Sequence, residues 1–328
     1  MSPLGPRRAF ALAAWAFACA FAAPGPARAV MAGAPPDSPT ARVDANTAAS
    51  PWAGVAAVRI DGSATFSGVA IGRRHVLTAA HVVAGLEPAR VRIRMNAGAP
   101  LDLAVASIVV HPGFVGFNNP NLNDDLAIVV LAADLPGTVP VYPLARSTPA
   151  QGTAFVAVGY GGSGQGDGSG RVGSDPAVKR TGRNNADAFG LDDDGSGRPE
   201  LFYFDFDGGG QPNRLGGTGF ANAVETSMSS GDSGSPSFVA DTTPPQLFGI
   251  NTFLFSFPNG PADPGTFGTG GGGQVVASYA TWIDATVAAT SPAASAEGDG
   301  EAPLPPWSAA LIAVACAARL RRASKPAA

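Results

Sequence analysis

The chain is poor in cysteine, in charge and in long apolar runs, and each shortage excludes something. Of its 328 residues only Cys19 and Cys316 are cysteine, and both lie in apolar terminal stretches. If those ends are removed, no internal disulfide, thiol catalysis or cysteine metal site is left to the domain between them. Charged residues make up 14%, too few for a coiled coil or a long-helix protein. No apolar run reaches the roughly 20 residues of a stable transmembrane helix. The 43 glycines and 30 prolines follow no Gly-X-Y period, so collagen is excluded as well. A formal net charge of -4 gives no global reason to expect a nucleic-acid partner. Residues 30–300 hold 14 basic and 24 acidic side chains, which makes the middle of the chain distinctly acidic.

Both ends read as addresses. Residues 1–29 have the form of a secretory signal peptide: Arg7 and Arg8, an apolar run to Ala23, then Ala27-Arg28-Ala29 with small residues where signal peptidase reads. Residues 30–50 form an N-terminal segment or a short propeptide. Residues 289–302, rich in Ser, Ala, Glu and Gly, read as a solvated linker. The tail, 303–328, holds Pro303-Leu304-Pro305-Pro306-Trp307, a short apolar run, and Arg319, Arg321 and Arg322. It resembles the PEP-CTERM type of bacterial sorting signal, with Pro-Leu-Pro-Pro-Trp in place of Pro-Glu-Pro. That resemblance implies a transient membrane anchor, with signal peptidase and a C-terminal sorting enzyme as processing partners, and a secreted or cell-surface product. A permanent weak anchor is the alternative.

Between the ends, short aliphatic runs alternate with Gly, Pro, Asn and Asp clusters, which predicts an all-β domain. Strands are expected at 55–60, 67–71, 91–95, 106–110, 126–131, 154–158, 202–206, 246–253 and 274–277. Residues 159–219 read as long surface loops apart from 201–206. Tyr279, Trp282, Ile283 and Val287 recur at helical spacing and predict a helix over 278–288.

Three motifs carry chemistry: Leu77-Thr78-Ala79-Ala80-His81-Val82, Asn123-Asp124-Asp125-Leu126-Ala127-Ile128-Val129 and Gly231-Asp232-Ser233-Gly234-Ser235-Pro236. A serine hydroxyl is a poor nucleophile at neutral pH and needs a base. Imidazole titrates near neutrality and can take and return its proton. A buried carboxylate orients the ring and stabilises the imidazolium. In the order His, Asp, Ser the motifs resemble the chymotrypsin/trypsin-like serine peptidases, of a bacterial secreted type, over about residues 51–287. Ser67-Gly68, His111-Pro112, Gly249-Ile250 and Tyr279-x-x-Trp282-Ile283 extend the likeness.

The resemblance implies two six-stranded antiparallel β-barrels, about 51–144 and 149–277, with a C-terminal helix and an active site between the barrels. It implies His81, Asp125 and Ser233 as the catalytic triad and the N–H groups of Gly231 and Ser233 as the oxyanion hole. It further implies that Asp232 pairs with a new N-terminus. Signal cleavage after Ala29 supplies Val30-Met31-Ala32-Gly33 as a candidate for that end. Ser227, Thr252, Phe253 and Leu254 fall at the specificity pocket, where Ser227 brings no charge and Leu254 narrows the space. The substrate is a protein or peptide, and no cofactor is required.

His75 and Asp124 read as solvated, and His111 as structural. Asp192-Asp193-Asp194-Gly195 is not an EF-hand: with Gly195 sixth, positions one and twelve are Gly190 and Leu201. Asp205, Asp207 and Glu225 are weak calcium candidates beside the simpler reading of solvated loop acids. Two other functions stay open on the same fold: a catalytically inactive, surface-displayed binding protein, and an esterase using the same triad.

Overall fold

The computed structural model describes residues 30–116, 121–208, 213–220 and 224–292. The stretches read from the sequence as a signal peptide and a sorting tail, and most of the expected linker, lie outside these. No described helix is long and apolar enough to cross a membrane.

The first sheet is a closed barrel. Its strands are β1 (Val55–Ile60), β2 (Ala64–Gly72), β3 (His75–Thr78), β4 (Val91–Ala97), β5 (Ala99–Val110) and β6 (Ala127–Leu131), in the order β1-β2-β3-β6-β5-β4. All pairings are antiparallel. Alternation places Val58, Ile93, Met95, Val129 and Leu131 inside it. A single helical turn, α1 (Ala80–Val83), leaves the end of β3.

The second sheet comprises β7 (Thr153–Gly159), β8 (Arg180–Ala186), β9 (Ala188–Leu191), β10 (Pro199–Asp205), β11 (Pro236–Val239), β12 (Gln246–Ser256) and β13 (Thr269–Val275), in the order β8-β7-β11-β12-β13-β10-β9. The sequence led us to expect six strands here. The two edge strands, β8 and β9, are halves of one run bent at Asp187, whose N–H still donates to Tyr203 O at 2.8 Å. The sheet therefore curls back on itself, and the Asn184 side chain spans β8 and β10 by donating to Asp205 O at 2.7 Å. A phenylalanine cluster of Phe155, Phe202, Phe204 and Phe248 fills it, with rings 5.1–6.4 Å apart.

Between the sheets lies a third apolar cluster. Val55, Leu77, Ile128, Val158, Phe238 and Ile250 meet Tyr279 and Ile283 of the C-terminal helical segment, α2 (Ala280–Thr290). This shared core fixes how the loops of the two sheets face one another.

Two sequence expectations are corrected. Residues 159–219 contain β8 and β9 as well as β10. β8 escaped notice because Arg180-Thr181-Gly182-Arg183-Asn184-Asn185-Ala186 has no aliphatic alternation. Its inward positions are polar, and Asn184 satisfies buried carbonyls of Asp205 and Thr226. His75 is not solvated: it opens β3 with 2% exposure, and burial, with Arg74 adding, holds its imidazole below the ordinary value.

Candidate active site

His81 sits in α1, directly after β3. Asp125 lies at the entry to β6, the neighbour of β3 in the barrel. The ladder between β3 and β6 therefore brings together residues 44 positions apart. Asp125 is fully buried and faces His81 with both oxygens: Oδ1 accepts the His81 backbone N–H at 2.8 Å, and Oδ2 lies 2.6 Å from Nδ1. A carboxylate held this way fixes the ring plane and keeps a proton on Nδ1, leaving Nε2 to act as a base.

The turn carrying Ser233 comes from the second sheet and docks on β2 of the first. Ser67 N donates to Ser233 O at 3.0 Å, and Ser67 Oγ donates to Gly231 O at 3.2 Å. Glycine is required on both sides of the serine. Gly231 has φ +93°, and a Cβ there would lie 2.8 Å from Thr65 O. Gly234 has φ +82°, and its Cβ would meet Thr78 Oγ1 at 2.1 Å and Ala79 N at 3.0 Å. The serine turn thus lies against the segment leading into His81. The N–H groups of Asp232, Gly234 and Ser235 are taken by Ser229 O, Asn251 O and Asp232 O. Among the described residues those of Gly231 and Ser233 have no such acceptor, which suits them to an oxyanion.

Asp232 points away from the cleft and is 1% exposed. Its oxygens accept Gly161 N at 3.1 Å and Ser229 N at 3.0 Å. Burial pushes this carboxyl up to about 7, against the pull of those N–H groups and Arg180. Val30 is likewise buried; its carbonyl accepts Ser163 Oγ at 2.7 Å, and Met31 N donates to Ser227 O at 2.8 Å. The segment that follows is pinned at several points. Arg42 pairs with Asp37, Lys179 Nζ lies 3.3 Å from Asp44, and Arg180 Nε donates to Pro39 O at 2.9 Å.

A cavity of about 90 Å³ opens beside Ser233. Met228, Phe253 and Leu254 give it apolar walls, and Ser229, Ser230, Asn251 and Thr252 polar ones; Asp232 contributes behind the serine. Thr252, Phe253 and Leu254 thus line it. Ser227 does not: it is fully buried behind the wall and Met228 takes its place. Leu254 reaches across to Gly271 of β13, where an added Cβ would stand 3.1 Å from Leu254 Cδ2 and 2.5 Å from Phe204 Cζ.

One further expectation changes. Asp124 is not a solvated acid. Its Oδ1 lies 3.0 Å from His111 Nδ1, its N–H donates to Tyr279 Oη at 2.9 Å, and its side chain is 13% exposed. His111 is structural as expected, edge-on to Tyr279 and Trp282.

The calcium candidates are brought near each other; several of their oxygens are engaged, while Asp207 Oδ1 is buried without a hydrogen-bond partner. Asp205 Oδ2 accepts Arg214 N and Leu215 N, Glu225 Oε2 accepts Asp207 N, and Glu225 Oε1 accepts Phe220 N. Among the described residues no group of three acidic or imidazole ligands converges on one point. Sequence reading placed Ser67 and Thr78 in the motifs without a role and missed Glu200 and Gln274, whose contacts steady the site; each of these two is a common residue in an ordinary strand and carries no local signal.

A protein-family model described as trypsin matches residues 41–189, a stretch that includes His81 and Asp125 and ends before Ser233. Among solved structures the chain is similar to neuropsin, a serine protease expressed in the limbic system of mouse brain. The likeness has 21% identity and a TM-score of 0.52, and covers 73% of this chain and 96% of the neuropsin chain. It shows that the fold is that of chymotrypsin, and the family match supports a trypsin-like serine peptidase.

Proposed function

We propose that this chain is an exported serine endopeptidase that cleaves protein or peptide substrates through an acyl-enzyme. The observation that carries the reading is the double contact of Asp125 with His81, set in a barrel against which the Gly231–Ser233 turn docks. His81 Nε2 takes the Ser233 proton as Oγ attacks the scissile carbonyl, then gives it to the leaving amine. Water repeats the sequence on the acyl-enzyme. The N–H groups of Gly231 and Ser233 receive the oxyanion, each worth about 3–4 kcal/mol in comparable sites. The small cavity, with Met228 and Leu254 in its walls, suits a small uncharged side chain before the scissile bond.

Export through residues 1–29, release after Ala29 and sorting through 303–328 complete the reading, and mass spectrometry of secreted material tests the processing. Recovery of a C-terminus at Ala328 would argue for an anchor or no sorting. A fluorophosphonate probe tests the chemistry: it should label wild type and leave Ser233→Ala unlabelled. An unlabelled wild type would favour the inactive binding protein, and turnover of esters but not peptides would favour the esterase.

A further inference from the structure

The turn that carries Asp125 is held from behind by a buried polar cluster that the triad does not use. Leu122 O accepts Gln274 Nε2 at 2.7 Å, and Asn123 Nδ2 donates to Glu200 Oε2 at 2.9 Å. Asp124 N donates to Tyr279 Oη at 2.9 Å. Three consecutive residues of the first barrel's loop are thus tethered to β13, β10 and the residue that opens α2. The tethers hold Asp124 at φ +64°, a region that non-glycine residues enter rarely. The next residue is Asp125. The same cluster reaches the cavity wall, since Gln274 Nε2 also lies 3.2 Å from Thr252 Oγ1.

Glu200 is the charged member. It is 5% exposed and forms no ion pair among the described residues. Asn123 and Tyr279 face it as hydrogen-bond donors, and Asp124 and Asp194 act on it as like charges. Burial, with the two acids adding, raises its carboxyl above the ordinary value, while the two donors oppose the rise. Tyr279 has one hydroxyl proton and two acceptors within reach, Glu200 Oε2 at 3.1 Å and Gln274 Oε1 at 3.0 Å. An ionised carboxylate is the stronger acceptor and takes it. A neutral Glu200 holds both donors less tightly.

We propose that Glu200 is a positioning residue whose ionised carboxylate, through Asn123 and Tyr279, fixes residues 122–125 and so keeps Asp125 aligned on His81. The inference rests on the peptidase reading above. Small displacements of a catalytic group far exceed their structural size in rate, and about a ten- to hundredfold loss is the scale to expect.

The test uses secreted full-chain protein and the kcat and KM of a peptide substrate across pH. Fluorophosphonate labelling of wild type comes first; without it the peptidase reading fails and this inference falls with it. With a labelled wild type, Glu200→Gln should lower kcat about tenfold or more at neutral pH while KM stays within about twofold. The wild-type acid limb should show a second inflection, and Glu200→Gln should abolish it. Wild-type kcat with an unchanged acid limb in Glu200→Gln would overturn the proposal. If that variant does not fold, Tyr279→Phe keeps the ring and removes the hydroxyl. It should lower kcat and move the second inflection to higher pH, because the carboxylate loses a donor; a wild-type profile there would also overturn it.

Discussion

At the scale of single residues, the site depends on hydrogen bonds that each residue cannot make alone. Asp125 offers one oxygen to a backbone N–H and the other to the ring. Asp125→Asn would keep the shape but present an amide to Nδ1, favouring the wrong tautomer. Turnover is expected to drop by about 10⁴ at neutral pH with the melting temperature little changed, as steady-state kinetics and calorimetry would check. Ser233→Ala and His81→Ala should each lose several orders of magnitude in kcat. Leu254 makes a different prediction, because it fills space and takes no part in the chemistry. Leu254→Gly should enlarge the cavity and move cleavage toward larger apolar side chains, raising their kcat/KM relative to alanine in a peptide-library profile. An unchanged profile would remove Leu254 from the specificity wall.

At the scale of elements, the informative piece is the strip from Val30 to Asp44. It lies across the second sheet and brings Val30 into the region of Ser163 and Ser227. Asp232, nearby in the same turn as the nucleophile, is a buried acid held well above its ordinary value. A group raised in the fold favours folding when protonated; its contribution is complete below about pH 4 and is lost as pH rises through about 7. A free Val30 ammonium would pair with this carboxylate and cancel that loss, ordering the loop that carries Gly231. Protein beginning at Val30 should therefore hold its melting temperature from pH 5 to pH 8. A version with one extra residue should lose stability over that range and show much lower peptidase activity. Full activity in the extended protein would end the idea that signal peptidase itself releases the active form.

At the scale of the whole molecule, an acidic domain without cysteine carries a buried group of like charges at one end of its second sheet. Burial is the main cause in each case, with neighbouring acids adding: Asp187 rises to about 8, Glu225 to about 7 and Asp207 to about 6. All three bind protons more tightly in the fold, so their contribution to stability is complete below about pH 4 and drains away as pH climbs through about 6 to 8. Asp187→Asn keeps an acceptor for Asp205 N and removes one charge. Its melting temperature should exceed that of wild type at pH 8 and match it at about pH 4; equal shifts at both pH values would count against the cluster. Sequence by itself determined the glycines around Ser233, most of the apolar strands and α2, and singled out His81, Asp125 and Ser233 as candidates, because each depends on local chemistry or on a period that the chain repeats. It also picked out Leu254 and Phe253. Only the tertiary structure decided that β8 is a strand, that His75 is buried, that Asp124 is half-buried against His111, and that Ser227 stands behind the cavity wall. It alone joined Glu200, Tyr279 and Gln274 to the loop of Asp125. Those outcomes rest on polar side chains meeting partners dozens of residues away, and a partner supplied by the fold leaves no mark in the neighbouring sequence.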